Sequence, residues 1–118
     1  MSNIIIDGGG HRKNNSLFPN EVKAFREVQN LLRDYGVNDV DTKLTIKPFT
    51  QKNGRNYSAI RLKGKQFCCV VLDENKELTK IENNYGVCKF REDISSPDDI
   101  SSDRIKKRLK GVLRAWGI

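Results

Sequence analysis

Two helical patterns of apolar residues enclose a middle stretch with the alternation of β-strands. In the first pattern, apolar residues recur at helical spacing from Val22 to Tyr35. Proline suits the first turn of a helix and glycine suits the position just past its end. We therefore predict a helix that begins at Pro19 or Asn20 and stops at Gly36. Its apolar stripe is broad, which predicts that the helix lies on a sheet.

The second helical pattern occupies residues 104–118. Its apolar positions, spaced i, i+4, i+7, i+8 and i+11, are Ile105, Leu109, Val112, Leu113 and Trp116. The rest of the circumference carries only cations among its charged residues, namely Arg104, Lys106, Lys107, Arg108, Lys110 and Arg114. We predict a helix that buries a narrow stripe, is capped by Ser101 or Ser102, and presents a cationic surface to water.

Between the helices, short β-type runs alternate with turn signals. The runs cover residues 43–50, 55–63, 65–73, 76–82 and 86–90. Asn53-Gly54 is the strongest hairpin signal, because a type I′ turn needs positive φ at both central residues. Such short connections force neighbouring strands to be antiparallel. Residues 91–103 are polar and predict a loop in which Pro97 opens one helical turn.

The order of these elements predicts an α+β fold. A four- to five-stranded antiparallel meander is flanked by an N-terminal and a C-terminal helix that cover one sheet face and leave part of the other exposed. Residues 19–118 are expected to form a single domain. Residues 1–18 are expected to form a flexible Gly-rich segment, in which residues 4–6 are a mobile tail or a short edge strand and Arg12 and Lys13 are a short basic arm.

Charge is distributed unevenly along a chain whose net charge is +7. Residues 41–69 carry seven lysines and arginines against one aspartate, and residues 104–118 carry six cations and no acid. Residues 70–103 are acidic, with nine carboxylates against four cations. If the two basic stretches meet on one surface of the folded protein, that surface will attract polyanions.

Cations and aromatic rings alternate within the first basic stretch. Outward positions of one strand hold Tyr57 and Arg61, and Lys47 and Phe49 share a face of the preceding strand. Such a patch suits phosphates and stacked bases. We therefore predict that nucleic acid binds Lys47, Tyr57, Arg61, Lys63, Arg104, Lys106, Lys107, Lys110 and Arg114. The alternative is structural: a cross-strand ring pair, lysines that protect a sheet edge, and an ordinary solvated helix face.

Catalytic chemistry finds little support in the sequence. His11 is the only histidine and lies in the Gly-rich segment, and the spacing of the three cysteines fits no metal site, so we predict no cofactor and no metal. All three cysteines are interpreted as core residues. A metal-dependent nuclease that uses Glu74, Lys76 and either Asp41 or Asp73 is the enzyme alternative. A non-enzymatic protein is favoured.

No apolar run is long enough to span a membrane, and residues 1–7 do not resemble a signal peptide, so we expect a cytoplasmic protein that does not bind membranes.

The segments Tyr57-Ser58-Ala59-Ile60-Arg61-Leu62, Phe67-Cys68-Cys69-Val70-Val71 and Ser96-Pro97-Asp98-Asp99-Ile100 occur in this order before the last helix. In this order the chain resembles the small αββββα modules of restriction-endonuclease-like and related bacterial defence proteins, over residues 21–116. The resemblance implies an accessory role linked to nucleic acid in a bacterium, phage or mobile element, and it transfers no catalytic residue. A different hypothesis is a protein-interaction module, an inhibitor or adaptor, whose segregated charges dock a partner.

Overall fold

A computed structural model describes residues 4–7, 12 and 16–118, and it confirms the α+β class. Six strands form one mixed sheet in the order β1-β2-β3-β4-β5-β6. The bounds of the strands are Ile5–Ile6 (β1), Leu44–Thr50 (β2), Asn56–Leu62 (β3), Lys65–Leu72 (β4), Leu78–Asn83 (β5) and Phe90–Asp93 (β6). Strand β1 runs parallel to β2, and every other neighbouring pair is antiparallel. The predicted meander therefore has an additional parallel edge strand at residues 5–6.

The two long helices and the helical turn at Pro97 begin and end close to the predicted positions, whereas a short helix at residues 40–43 was not predicted. The helices are α1 (Pro19–Tyr35), α2 (Val40–Lys43), a 3-10 helix (Pro97–Ser101) and α3 (Asp103–Ala115). Helix α1 ends because Gly36 takes φ 100° and its N–H bonds back to Arg33 and Leu32 carbonyls. At the start of α3, the Ser102 hydroxyl accepts the Ile105 N–H. The predicted caps are confirmed, with Ser102 rather than Ser101 before α3.

The type I′ turn lies at Lys63-Gly64, not at Asn53-Gly54. Both Lys63 and Gly64 have positive φ, 53° and 82°, and they join β3 to β4 directly. In the β2–β3 connection only Gly54 has positive φ among the described residues. That connection has five residues, in which Asn53 Oδ1 accepts the Arg55 N–H at 2.9 Å, so the chain reverses without a left-handed Asn53.

The last strand also differs from the prediction. We expected a strand at residues 86–90 and a loop after it, but β6 begins at Phe90 and continues through the polar residues to Asp93. Its partners on β5 compensate the charges, since Arg91 pairs with Glu82 and Asp93 with Lys80. Cross-strand pairing has here outweighed the weak strand propensity of a polar run.

One hydrophobic core lies between the sheet and the two long helices. Helix α1 contributes Phe25, Val28 and Leu32, and α3 contributes its predicted stripe from Ile105 to Leu113. The sheet contributes the alternate residues Leu44, Ile46, Ile60, Leu62, Cys68, Val70, Leu72 and Ile81. None of the described helices packs on the other face of the sheet at β2 to β5, and part of this face was predicted to be exposed. The residues between these core positions are therefore the ones that can meet a ligand.

Arg12 is buried rather than part of a basic arm. Its guanidinium binds both carboxylate oxygens of Glu21, at 2.5 and 3.0 Å, and donates to the Phe49 carbonyl at 2.8 Å. The arginine is only 6% exposed, so its charge holds α1 and β2 together instead of facing water. The Gly-rich run, His11 and Lys13, which also belong to the predicted flexible segment, lie outside the described residues.

Candidate nucleic-acid interface

The open sheet face presents its side chains in rows that cross the strands. Cross-strand pairing puts five residues into a central row in the order Lys47, Ala59, Cys69, Glu82 and Arg91. A second row, on one side, consists of Phe49, Tyr57, Val71, Lys80 and Asp93. On the other side lie Thr45, Arg61 and Gln66.

The central row forms the floor of a groove because its middle residues are small. Ala59 and Cys69 are each only 6% exposed although no helix covers them, since taller side chains flank them on both sides. The resulting sheet-face groove has a volume of about 780 Å³. Its walls include the second-row rings, Arg55, Arg61 and Gln66, with Asn84 to Gly86 and Trp116 at the β5–β6 end.

Aromatic rings line much of this groove. Phe49 and Tyr57 stack with ring centroids 4.9 Å apart and ring planes 13° apart. Tyr85 in the β5–β6 connection is 65% exposed. Trp116, just past the end of α3, meets Phe67 edge to face at 5.8 Å. Half-exposed rings on a concave face are surfaces on which bases stack.

Cations stand next to these rings. The Lys47 ammonium lies 5.3 Å from the centre of the Phe49 ring, and the Lys65 ammonium lies 5.6 Å from Trp116. None of the described carboxylates forms an ion pair with either lysine. Arg61 differs, because it pairs with Asp7 at 3.0 Å and donates to the Gly64 carbonyl at 2.7 Å. The positive charge available to a ligand in the groove thus comes first from the two lysines.

Burial keeps the floor of the groove uncharged around Cys69. Burial and then the charge of Glu82 raise the pKa of the Cys69 thiol to about 12, so the thiol is protonated at neutral pH. Burial is also the main cause that raises the pKa of Tyr57. A thiol held in this state does not act as a nucleophile.

A second groove lies between α3 on one side and β6, with the residues that precede β6, on the other. This helix-edge groove has a volume of about 730 Å³ and is lined by Val87, Cys88, Lys89, Phe90, Glu92, Arg104, Lys107, Arg108, Gly111 and Arg114. Glu92 binds Arg104 at 2.6 Å and Arg108 at 2.9 Å. Hydrogen bonds from Arg108 and Arg104 lower the pKa of Glu92. No described carboxylate pairs with Lys89, Lys107 or Arg114, so the groove is basic.

The two grooves meet at the connection between β5 and β6. Asn84, Tyr85 and Gly86 line the sheet-face groove, and the next three residues line the helix-edge groove. At the end of α3, Trp116 belongs to the first groove and Arg114 to the second. The two basic stretches therefore lie on opposite faces of the sheet, instead of forming the single face that we considered. They approach each other around this connection and at Trp116, where the Lys65 ammonium lies 5.6 Å from the ring centre.

The predicted binding residues divide into four groups. Lys47, Tyr57 and Arg61 line the sheet-face groove. Arg104, Lys107 and Arg114 line the helix-edge groove. Lys106 and Lys110 lie on the other side of the buried stripe of α3, because each directly follows a buried residue, Ile105 or Leu109, whereas Arg104 and Arg108 directly precede the same two residues. Lys63 is exposed in the β3–β4 turn.

Sequence reasoning missed three charged residues and two aromatic rings of the sheet-face groove, namely Arg55, Lys65, Glu82, Tyr85 and Trp116. Arg55 and Lys65 belonged to a recognised basic stretch but border predicted turns, where side-chain direction is not set by alternation. Trp116 was assigned wholly to the helix stripe. Glu82 could have been identified from the sequence, because it follows Lys80 at strand spacing and therefore faces outward.

The residues of the nuclease alternative line neither of the two grooves. Glu74 is exposed and Lys76 has φ 64° in the β4–β5 turn, whereas Asp41 pairs with Arg33 beside α2. Among the described residues no three His, Cys, Asp or Glu side chains lie close enough together to hold a metal ion. Of the cysteines, Cys68 is a core residue, Cys69 lies beneath the groove and Cys88 is half-buried beside Gly111.

No protein-family model matches the sequence, and neither the curated proteins nor the solved structures contain a significant match. The resemblance to defence-linked modules therefore remains a hypothesis. In the part of the chain that the structure describes, no helix is both long and apolar enough to cross a membrane.

Proposed function

We propose that the protein is a non-enzymatic binder of single-stranded nucleic acid, which it holds in the sheet-face groove. The observation that carries the proposal is the groove itself, with a narrow apolar floor, stacked and exposed rings on its walls, and two lysines beside those rings. Proteins that bind single strands combine these parts, since rings receive bases and cations receive phosphates.

A concave aromatic groove favours a single strand over a duplex, because paired bases do not expose their faces. The helix-edge groove then extends the site. Lys107 and Arg114 are exposed, and the groove adjoins the sheet-face groove at Tyr85. A strand that leaves the rings around this connection meets further cations without crossing an acidic surface, since Glu92 is already held by two arginines.

The protein-interaction hypothesis requires accessible acidic residues in the segregated acidic stretch. Five of its nine carboxylates lie between residues 92 and 103, namely Glu92, Asp93, Asp98, Asp99 and Asp103. Several of them serve internal contacts: Glu92 binds Arg104 and Arg108, Asp93 binds Lys80, and Asp99 accepts the Ser95 and Ser96 N–H groups at the start of the 3-10 helix. These contacts leave fewer carboxylates for a partner. Nucleic-acid binding is therefore the function that the geometry supports best.

The proposal is tested by fluorescence anisotropy with single-stranded DNA, single-stranded RNA and duplex DNA at about 50 and 200 mM salt. We expect the single strands to bind more tightly than the duplex. Tyr57→Ala is expected to weaken single-strand binding about 5- to 100-fold through the loss of stacking, and Tyr57→Phe, which keeps the ring, serves as its control.

Charge is tested with the double variant Lys47→Gln/Lys65→Gln. The slope of log affinity against log salt is expected to flatten by about 0.7 for each phosphate that the variant no longer neutralises. Its matched control is Lys23→Gln/Lys43→Gln, which removes the same charge from exposed residues outside both grooves. Equal flattening in both double variants, or no binding by the wild-type protein at low salt, would contradict the proposal.

A further inference from the structure

Glu82 is an unusual residue for a groove that attracts phosphate. It is the only acid among the described residues that line the sheet-face groove, and its side chain is only 7% exposed. A buried carboxylate repels phosphate and is costly to hold out of water. We therefore consider a role for Glu82 other than binding the phosphate backbone of the ligand.

The hydrogen bonds of Glu82 are incomplete. Oε2 accepts the Arg91 Nε–H at 3.1 Å, whereas Oε1 lies 3.7 Å from Arg55 Nη2, beyond hydrogen-bond distance. A carboxylate offers about four lone-pair positions, so most of this capacity remains for a molecule in the groove. The two arginines hold the group in place and offset its charge without saturating it.

The position of Glu82 suits the edge of a base. Ala59 and Cys69 are the next two residues of the central row, and neighbouring strands lie about 4.8 Å apart. A base that rests on this apolar floor, beside the Phe49 and Tyr57 rings, points one edge along the row toward the carboxylate. Because the Cys69 thiol stays protonated, the floor does not add a second negative charge beneath the base.

A carboxylate accepts hydrogen bonds and donates none, so it distinguishes bases by their donors. Guanine has two adjacent donors, N1–H and the N2 amino group, that match the two oxygens. Adenine and cytosine offer one exocyclic amino group, and uracil offers one N3–H between two carbonyl oxygens that repel the carboxylate. Single strands are read on these edges.

We propose that Glu82 is a specificity-determining residue that makes the sheet-face groove prefer guanine. This inference rests on the proposed binding of single-stranded nucleic acid and specifies the ligand of that site. A matched bidentate pair is expected to favour guanine over uracil about 5- to 100-fold.

The test compares labelled RNA oligonucleotides of about twelve nucleotides in which uridine alternates with guanosine, inosine, adenosine, cytidine or uridine. Inosine lacks the N2 amino group and isolates the second hydrogen bond in the unaltered protein. We expect guanosine to bind most tightly and inosine to lose most of the advantage. Guanosine monophosphate, added as a competitor, shows whether the base alone or a base within a strand is recognised.

Glu82→Gln is expected to bring the guanosine and uridine oligonucleotides to within about twofold. The all-uridine strand should bind more tightly, because a charge that repels phosphate is removed. Glu74→Gln, an exposed acid outside the groove, is the matched control and should keep the preference. Uniform weakening of all strands by Glu82→Gln with the guanine preference intact would assign Glu82 only to positioning Arg55 and Arg91. Equal binding of all strands by the wild-type protein overturns this inference alone, whereas no binding of any strand overturns the proposed function as well.

Discussion

Glu21 and Glu82 are both buried glutamates beside arginines, but they lie on opposite sides of the sheet. Glu21, on α1, is fully buried and accepts two hydrogen bonds at each oxygen. Oε1 binds Arg12 and the Phe18 N–H, and Oε2 binds Arg12 and the Ser58 hydroxyl. Glu82 accepts one hydrogen bond from Arg91 and faces an open groove.

The number of hydrogen bonds that each carboxylate accepts therefore separates a glutamate that stabilises the fold from a glutamate that is a candidate for ligand binding. Arg12 and Glu21 satisfy each other and fix the N-terminal residue 12 against α1, β2 and β3, so no bonding capacity is left for a ligand. Arg55 and Arg91 are 43% and 66% exposed in their side chains, and they leave room at Glu82. From the buried fraction of the side chain alone, the two glutamates would have been assigned the same role.

The largest expected effect concerns stability. Glu21→Gln should lower the free energy of unfolding by about 3–5 kcal/mol, because Arg12 then remains buried without a counter-charge. Glu82→Gln should lower it by about 1 kcal/mol or less, because its arginines can turn toward water. Urea denaturation measures both, with Glu74→Gln as the surface control. Equal losses of stability for the two variants would remove the distinction between the two sites.

An intermediate effect is expected in thiol chemistry. Because the pKa of Cys69 is raised from 9.0 to about 12, iodoacetamide at about pH 8 should modify it roughly a thousandfold more slowly in the folded protein than in urea. Glu82→Gln should accelerate Cys69, since it removes a negative charge that opposes the thiolate. Cys68, whose pKa burial also raises, faces the core and should keep its rate.

Peptide mass spectrometry follows each cysteine separately, and equal acceleration of Cys68 and Cys69 would instead indicate general opening of the protein.

The raised pKa of Cys69 also makes the stability of the protein depend on pH. Above about pH 9 the unfolded chain releases the Cys69 proton while the folded protein retains it. The free energy of unfolding should therefore fall as the pH rises from about 9 toward 12.

The smallest expected effect concerns Glu92, a partly exposed acid between two arginines. Its lowered pKa means that its stabilising contribution is present above the ordinary carboxyl pKa and is lost as the pH falls through the lower folded value. Near pH 6, the wild-type protein should unfold at a slightly higher urea midpoint than Glu92→Gln. In acid, the two midpoints should become equal. A difference that persists unchanged into strong acid would contradict this assignment.

Local patterns predicted the two long helices and most strands correctly, because their signals lie within a few residues of each other. Pro19 and Gly36 bounded α1, and alternation placed Tyr57 and Arg61 on one face of β3. The errors have two causes. The hairpin at Asn53-Gly54 forms, but a local bond from the Arg55 N–H to Asn53 gives it a different turn. Polar residues 91–93 became a strand because the distant strand β5 supplied partners for them.

The candidate site was predictable in part. Lys47, Tyr57 and Arg61 were identified from alternation and charge, and the structure places all three along the sheet-face groove. Glu82 and Trp116 were not identified, because one lay in an acidic stretch and the other in a helix stripe. Their roles depend on which strands become neighbours in the sheet, and local sequence patterns do not determine these neighbours.

By itself, the amino-acid sequence determined the α+β class, the ends of the two long helices, and the outward direction of the β3 side chains. Periodicity and capping chemistry act over a few residues, so the residues that determine these features lie close together in the sequence. Only the tertiary structure decided that Arg12 is buried, that the two basic stretches lie on opposite faces, and that small residues from β3 and β4 adjoin Glu82. These features arise from cross-strand register and layer packing, which join residues far apart in the chain.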